Sequence, residues 1–589
     1  MSEDKKDAVK EVLENTVEVG LPENQPELDQ SPRDNTPDQE DEDPHLAFCA
    51  SQPETDIGNR KRFSRRFGDI VAYISGAGWY VYDGKCWKYS DSESGEIRKL
   101  ATEVAENIRH EINCIPLSDF QNKILQTALD AESRLKELEE KPLEDAEEMR
   151  AQMARIHQRI QAGEEIKKGL TGMRKARKSH FKSSCNTAKI TNMQTEQKPY
   201  SSTDVEAFDA NPLHLNVLNG TLHFTPDELD NPNPKGNVNW NSSLKPHDKD
   251  DKISKIIPVN YDPKAKAPHF NKFLEQSMPN EVERAFLQRL MGYAATGYTH
   301  EQIFAFFYGI GRNGKTTFLK AIRSALGDYS TLLNVDVLTG DDKKNGSGPT
   351  PELMHLKGAR MVTTSEPDGG AKLKEGLVKL WTGDQEVIAR APFEKAMVEF
   401  KPKFTIFMDG NHKPKIINDD DGIWRRLLLV NWREQVAVEK VDKSLPQKLE
   451  QEKEGILAWI VEGIEEYLVY GLNVPESIKN EMKDHRDDSD HYGDFIRSAI
   501  DVTGFADDKE GVDDLYDAFV KHMNNNAREV HNKNTFSRRF AGQAARPWDS
   551  PEGKKILFTK GKSNGRTVYR GLKIKPEYTK MDDFNSNSY

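Results

Sequence analysis

The chain has 589 residues, 31% of them charged and 36% hydrophobic, enough length for roughly three or four domains. No apolar run approaches the ~18 residues that cross a bilayer, the start MSEDKKDAVK lacks a secretory core, and Cys49, Cys86, Cys114 and Cys185 form no CxxC pair, which excludes membrane, secreted and cysteine-zinc classes. The net charge of -13 is uneven: residues 1–57 hold 17 acidic and 4 basic side chains, whereas residues 531–575 hold 12 Lys/Arg against Asp549 and Glu552, so one end repels phosphates and the other can hold them.

Residues 1–57, rich in acids, Pro, Asn and Gln, read as a disordered acidic tail. GWYVYDGKCWKYS (78–90) reads as a hairpin in which Trp79, Val81, Trp87 and Tyr89 flank the turn Asp83-Gly84. Helical sequence runs from about Ile97 to His180 with breaks at Pro142 and Gly163. From Lys123 to Lys178 it is dense in Glu, Lys, Arg and Ala, which predicts a long, largely solvated helical arm over about 118–182. Short strands are expected within 213–224, which completes an α+β N-terminal region over 58–265. FNKFLEQS and EVERAFLQRLMGYAATG then read as helices, and alternating strand and helix signals place an α/β domain with a parallel sheet at 266–472.

IFAFFYGIGRNGKTTFLKAIRSALG (303–327) contains Gly309-x-x-x-x-Gly314-Lys315-Thr316, the P-loop pattern. Ile303 to Tyr308 suit a buried parallel strand, and Phe318, Leu319, Ile322 and Leu326 recur at helical spacing before Gly327. Glycines let backbone N–H groups converge on phosphate oxygens at a helix N-terminus. Gly309, Gly311, Asn313, Gly314, Lys315, Thr316 and Thr317 are therefore the expected contacts to ATP, with Lys315 on the β/γ-phosphates and the Thr316 hydroxyl on Mg2+.

Downstream, RMVTTS (360–365) predicts a strand ending at Glu366, a carboxylate placed to hold Mg2+ or polarise the attacking water. FTIFMDGN (404–411) predicts another ending at Asn411, whose amide can reach γ-phosphate and water. LLLV (427–430) follows Arg425 and Arg426, of which one can serve a neighbouring subunit as an arginine finger. Taken singly, an acid at a strand end, an Asn turn and a pair of surface arginines are equally ordinary features.

Together, GIGRNGKTT, TTSE, TGDQEVIARAPFEKAMVEFKPKFTIFMDGNHKP and GIWRRLLLV resemble the helicase part of phage/plasmid and poxvirus primase-helicases, superfamily 3 members of the AAA+ ATPases. RRFGDIVAYISGAGWYVYDGKCW and EAFDANPLHLNVLNGTL are similar to that family's N-terminal region, so the resemblance covers most of the chain after residue 58 except the arm. It implies a ring, usually hexameric, with ATP between subunits and single-stranded DNA through the centre, moving 3′→5′. It assigns Glu366 to the catalytic acid, Asn411 to sensing, and Arg426, ahead of Arg425, to the finger. Many members carry a second acid where Ser365 stands here, and Asp368 is a nearby carboxylate able to assist. Residues 386–400, read as two short strands around Phe393-Glu394-Lys395, correspond to the family's channel hairpin, with Phe393 and Lys395 as DNA contacts. Relatives often bear a further polymerase domain; only the acidic tail precedes residue 58 here, and no primer synthesis is expected.

Residues 473–589 form the last expected domain. DDLYDAFVKHM (513–523) is amphipathic, NKNTFSRRFAGQA (532–544) reads as a second helix, and KKILFTKGKSNGRTVYRGLKI (554–574) as two strands. Helix, helix and hairpin predict a winged-helix domain, with Arg538 and Arg539 near the DNA backbone and Lys560, Lys562 and Arg566 forming the wing. The expected function is an ATP-dependent DNA helicase of phage or mobile-element replication. Its expected partners are single-stranded and forked DNA, copies of itself and replication proteins, with no membrane, in the host cytoplasm if phage-encoded. The alternative is an ATP-gated initiator or assembly factor that loads or melts DNA without processive unwinding.

Overall fold

The computed structural model describes residues 43–579 apart from 140–145, 228–237, 341–352, 354, 366–372, 384, 390–397, 415, 417–420, 438, 440 and 529. The first described elements are α1 (Leu46–Ala50) and α2 (Asp56–Phe67), the latter capped by Thr55, which accepts the Gly58 N–H at 3.1 Å. Residues 43–57 thus belong to the fold, which corrects the predicted tail boundary at 57. Cys49 and Ala50 are buried, and the carbonyls of Ala50, Gln52 and Pro53 are taken by the guanidiniums of Arg177 and Arg62. Those backbone partners offset the ordering cost that the acidic composition alone leaves unmet.

The strands β1 (Val71–Ile74), β2 (Gly78–Tyr82) and β3 (Trp87–Ser90) form an antiparallel sheet, with Tyr82 opposite Trp87 across the expected turn. With α3 (Glu96–Asn107) and α6 (Thr187–Gln197) they enclose a core of Phe63, Trp79, Val81, Ile97, Val104 and Met193. Between them stands the arm, α4 (Asp119–Glu139) and α5 (Ala146–Ser184). α5 runs unbroken through Gly163, contrary to the predicted break. A Cβ there would stand 2.4 Å from the Ala128 Cβ, so the glycine serves the close approach of the two helices. At 39 residues, α5 is about 58 Å long. Its C-terminal portion is fastened by Arg177, which donates to buried Glu111 at 2.5 Å, while Arg62 donates to both oxygens of the same carboxylate at 2.9 Å.

A second antiparallel sheet, β4 (His214–Val217), β5 (Gly220–Pro226) and β6 (Trp240–Lys245), leads into α7 (Pro268–Ser277) and α8 (Glu281–Ala295). Leu215, Val217, Leu222 and Phe224 share one core with α7, α8 and the helix α13 (Lys453–Tyr470), so the change of sequence pattern near residue 265 is not a change of core. α8 and α13 meet at glycines: a Cβ on Gly463 would stand 2.3 Å from the Gln288 carbonyl oxygen.

The central sheet has five parallel strands. These are β7 (Phe304–Tyr308), β8 (Ser330–Leu332), β9 (Met361–Ser365), β12 (Thr405–Gly410) and β13 (Leu427–Asn431), in the order β13-β7-β12-β9-β8. Side chains alternate between two cores: Ala305, Phe307, Phe407 and Leu428 face α8 and the helix α9 (Lys315–Leu326), while Phe304, Phe306, Ile406 and Leu429 face α10 (Glu375–Trp381) and the α11 turn (Asp421–Trp424). Burial on both faces is what the continuous apolar runs require. β10 (Val387–Ala389) and β11 (Val398–Phe400) pair antiparallel below their predicted tip.

α12 (Leu445–Gln451) precedes α13, and α14 (Glu476–Ser489) follows it and packs on β13. The chain then builds a separate core from α15 (His491–Ala499), β14 (Ile500–Val502), β15 (Lys509–Gly511), α16 (Val512–Asn525) and α17 (Lys533–Gln543). The short pair β16 (Trp548–Asp549) and β17 (Lys555–Ile556) leads to β18 (Thr559–Ser563), β19 (Arg566–Arg570) and β20 (Leu572–Ile574). Three of these strands form an antiparallel sheet in the order β15-β19-β18. Among the described residues, no helix is long and apolar enough to cross a membrane.

Candidate functional site

β7 lies between β13 and β12, and the loop leaving its C-terminal end is shaped by two glycines. Gly309 has φ 150° and a Cβ there would lie 2.2 Å from the Trp432 carbonyl oxygen; Gly314 has φ 89° and a Cβ there would lie 2.7 Å from the Phe273 ring. An L side chain at either position meets both backbone strain and a clash. Phe318 packs on Trp432 at 5.4 Å between ring centroids and Phe307 on Trp432 at 5.7 Å, which seats the first turn of α9 against the strand. The loop is held from its far side as well: Asn313 Nδ2 donates to Trp432 O at 2.9 Å, Gln435 Nε2 to Gly311 O at 3.1 Å and Val436 N to Arg312 O at 2.9 Å.

α9 begins at Lys315 without a side-chain cap, so its first-turn N–H groups and positive dipole end meet the loop. Lys315 is 4% exposed and donates to Gly309 O at 2.6 Å and to Asn313 Oδ1 at 3.0 Å, spanning the loop from within. Thr316 is exposed, and its hydroxyl donates to Asp409 Oδ2 at 2.5 Å. Thr317 follows in the same turn. Asn411 stands just beyond the end of β12, its Oδ1 4.0 Å from where a Cβ on Gly311 would be. The loop, Lys315, Thr316, Asp409 and Asn411 therefore meet at one edge of the sheet. Asp409 is the member that sequence reading missed. Its signal was an acid closing the apolar strand FTIFMD, two residues before Asn411 and opposite Ser365 in the sheet register.

Glu366 and Asp368 lie outside the described residues, as do Phe393 and Lys395. Arg425 and Arg426 precede β13 and are therefore at the opposite edge from the loop. Arg426 is bound within its own fold, donating to Gly422 O at 2.8 Å and to Gln302 Oε1 at 3.2 Å, whereas Arg425 is exposed. In the C-terminal unit, Phe536 and Phe540 of α17 point into the core. Arg538, Lys560, Lys562 and Arg566 are exposed and Arg539 is half-buried. Asn564 and Gly565, with φ 49° and 77°, form the tight turn that projects the β18–β19 hairpin.

This architecture defines a multidomain α/β chain with a glycine-rich anion-type loop at the C-terminal edge of a parallel sheet. Residues 60–279 match the family model described as D5 N terminal like, which supports a relationship to the D5-like primase-helicases. It is 29% identical over 245 residues to the candidate helicase L207/L206 of Acanthamoeba polyphaga mimivirus, covering 39% of this chain and 25% of that protein. It is 30% identical over 161 residues to Primase D5 of Fowlpox virus, covering 26% of this chain and 19% of that protein. The chain thus aligns with about a quarter of the former's length and about a fifth of the latter's. The solved apo structure of the NrS-1 C terminal region is similar at 12% identity with a TM-score of 0.36, over 54% of this chain and 77% of that one.

Proposed function

We propose that the chain is the motor part of an ATP-dependent DNA helicase of superfamily 3, acting in viral or mobile-element replication as a ring on single-stranded DNA. The observation that carries this reading is the edge where the Gly309–Thr316 loop, Asp409 and Asn411 meet, set in a sheet whose strands run 5-1-4-3-2 when numbered along the chain. In such a site the loop N–H groups and Lys315 bind the triphosphate of ATP. The Thr316 hydroxyl and the Asp409 carboxylate form an all-oxygen donor pair that suits Mg2+, which when bound would neutralise charge between the β- and γ-phosphates. Glu366, one residue past β9, is assigned as the acid that activates water, and Asn411 as the amide that reports on the γ-phosphate.

The finger is assigned to Arg425, in place of the Arg426 favoured above, because the Arg426 guanidinium is already engaged inside its own protomer. The order helix, strand, strand, helix, helix, then the β16–β17 pair and the β18–β19 hairpin, supports reading the C-terminal unit as a winged helix, with α17 and the Lys560–Arg566 hairpin toward DNA.

The test is strand displacement on a forked duplex, with ATP hydrolysis measured in parallel. Unwinding by the wild type, and a fall of at least ~100-fold in both activities for Lys315→Ala, is the expected result. ATP hydrolysis and DNA binding by the wild type without strand displacement would instead favour the initiator reading.

A further inference from the structure

The β4–β5 hairpin carries two histidines that the nucleotide site does not use. His214 and His223 are nine positions apart in sequence and directly opposite in the antiparallel register, with ring centroids 3.8 Å apart. Asp251 closes the group from a neighbouring segment: its Oδ1 is 3.5 Å from His214 Nδ1 and its Oδ2 is 3.9 Å from His223 Nε2. One ligand atom from each residue lies within 4.8 Å of the others, and this is the group of metal-ligating side chains found among the described residues. His223 Nε2 is buried without a hydrogen-bond partner. Leaving such an atom unpaired is unfavourable, so this edge of the ring points to a ligand.

The three side chains are well held. Asp251 ends a 3-10 turn begun by Asp248, whose carboxylate accepts the Asp250 N–H at 2.9 Å. That turn is tied to β3 by Trp87, whose Nε1 donates to Lys249 O at 2.8 Å and whose backbone N–H donates to Ile253 O at 2.8 Å. His214 is held by its backbone, since Arg360 donates to its carbonyl at 2.5 Å, and by Asn211, whose Nδ2 lies 3.0 Å from Nε2.

We propose that His214, His223 and Asp251 bind one zinc ion. Two imidazoles and a carboxylate match the donor preference of zinc, and metal–ligand bonds of ~2.0–2.2 Å in tetrahedral geometry place ligand atoms roughly 3.3–3.6 Å apart, against 3.5 Å from Asp251 Oδ1 to His214 Nδ1 and 3.9 Å from Oδ2 to His223 Nε2, so the ion draws the three side chains slightly together. Water takes the fourth position. The ion joins the hairpin to the 247–253 segment. It is distinct from Mg2+ at the nucleotide loop, because Arg360, which grips His214, lies just ahead of β9 at the opposite edge of the sheet.

The full chain, stripped with a chelator and dialysed, is titrated with zinc, and bound metal is counted by mass spectrometry. Cobalt replaces zinc as a visible-absorption probe of four-coordinate geometry. The wild type is expected to retain one equivalent and to gain thermal stability on zinc addition. His223→Asn and Asp251→Asn each lower zinc affinity at least ~10-fold and abolish that gain, while His269→Gln, a surface histidine elsewhere, does neither. Should His223→Asn fail to fold, the near-isosteric Asp251→Asn carries the comparison. Less than stoichiometric zinc on the wild type, or wild-type affinity in the folded variants, overturns the proposal.

Discussion

Adjacent arginines at the start of β13 meet different surroundings, and the difference is testable. Arg425 is exposed, and its truncation costs stability within about 0.5 kcal/mol. If it completes a neighbour's site, Arg425→Ala lowers ATP hydrolysis by ~10³-fold or more with an unchanged melting temperature. Arg426→Ala instead removes hydrogen bonds to Gly422 and Gln302 and is expected to lower stability by about 1–2 kcal/mol, read from a denaturant midpoint. At this scale the sequence told much about Lys315 and Thr316, because loop and helix are contiguous and their spacing is their geometry. It told less about Asp409, which reaches Thr316 only through the parallel pairing of β7 with β12. It was silent on His214, His223 and Asp251, which meet only once the β4–β5 register and the Trp87 contacts are formed.

Among elements, the apolar runs of β7, β12 and β13 were legible because a strand buried on both faces has few polar positions to obscure it. The polar WNSSLK of β6 and the three-residue β8 carried no such pattern and are strands through pairing alone. Gly163 was read as a helix break, yet the same missing side chain permits the contact with Ala128. The arm's attachment is the element-scale prediction. Glu111 is 1% exposed and shared by Arg62 and Arg177. Glu111→Gln leaves the buried Arg62 guanidinium without a counter-charge and Arg177 with Glu54 alone, at 2.8 Å, and the expected loss is about 3–5 kcal/mol, read by urea denaturation. Hydrogen exchange in the C-terminal turns of α5 should rise with it, because Arg177 on those turns loses one of its two carboxylates.

For the whole molecule, buried histidines set the response to acid. Burial lowers the pKa of His180, His485 and His491. Unfolded, each titrates near ~6.5, so below that pH the unfolded chain binds protons that the native chain does not, and stability falls as pH falls. Paired carboxylates such as Asp56 are shifted down and act only at lower pH. A lower melting temperature at pH 5.5 than at pH 7.5 is expected. His485→Gln should flatten the slope, since His485 Nε2 lies 3.1 Å from Pro414 O and its ring packs against Trp424. The two edges of the central sheet have a further consequence. Five residues of β13 separate Arg425 and Arg426 from the level of the glycine loop, roughly 16 Å of extended chain, so one copy cannot supply its own guanidinium. If the arginine acts, it comes from another copy, and in a head-to-tail association each copy completes its neighbour's pocket. Closure into a cycle then leaves no pocket unfilled, whereas an open stack always has one idle end, and a single defective copy silences the copy it serves as well as any fault of its own.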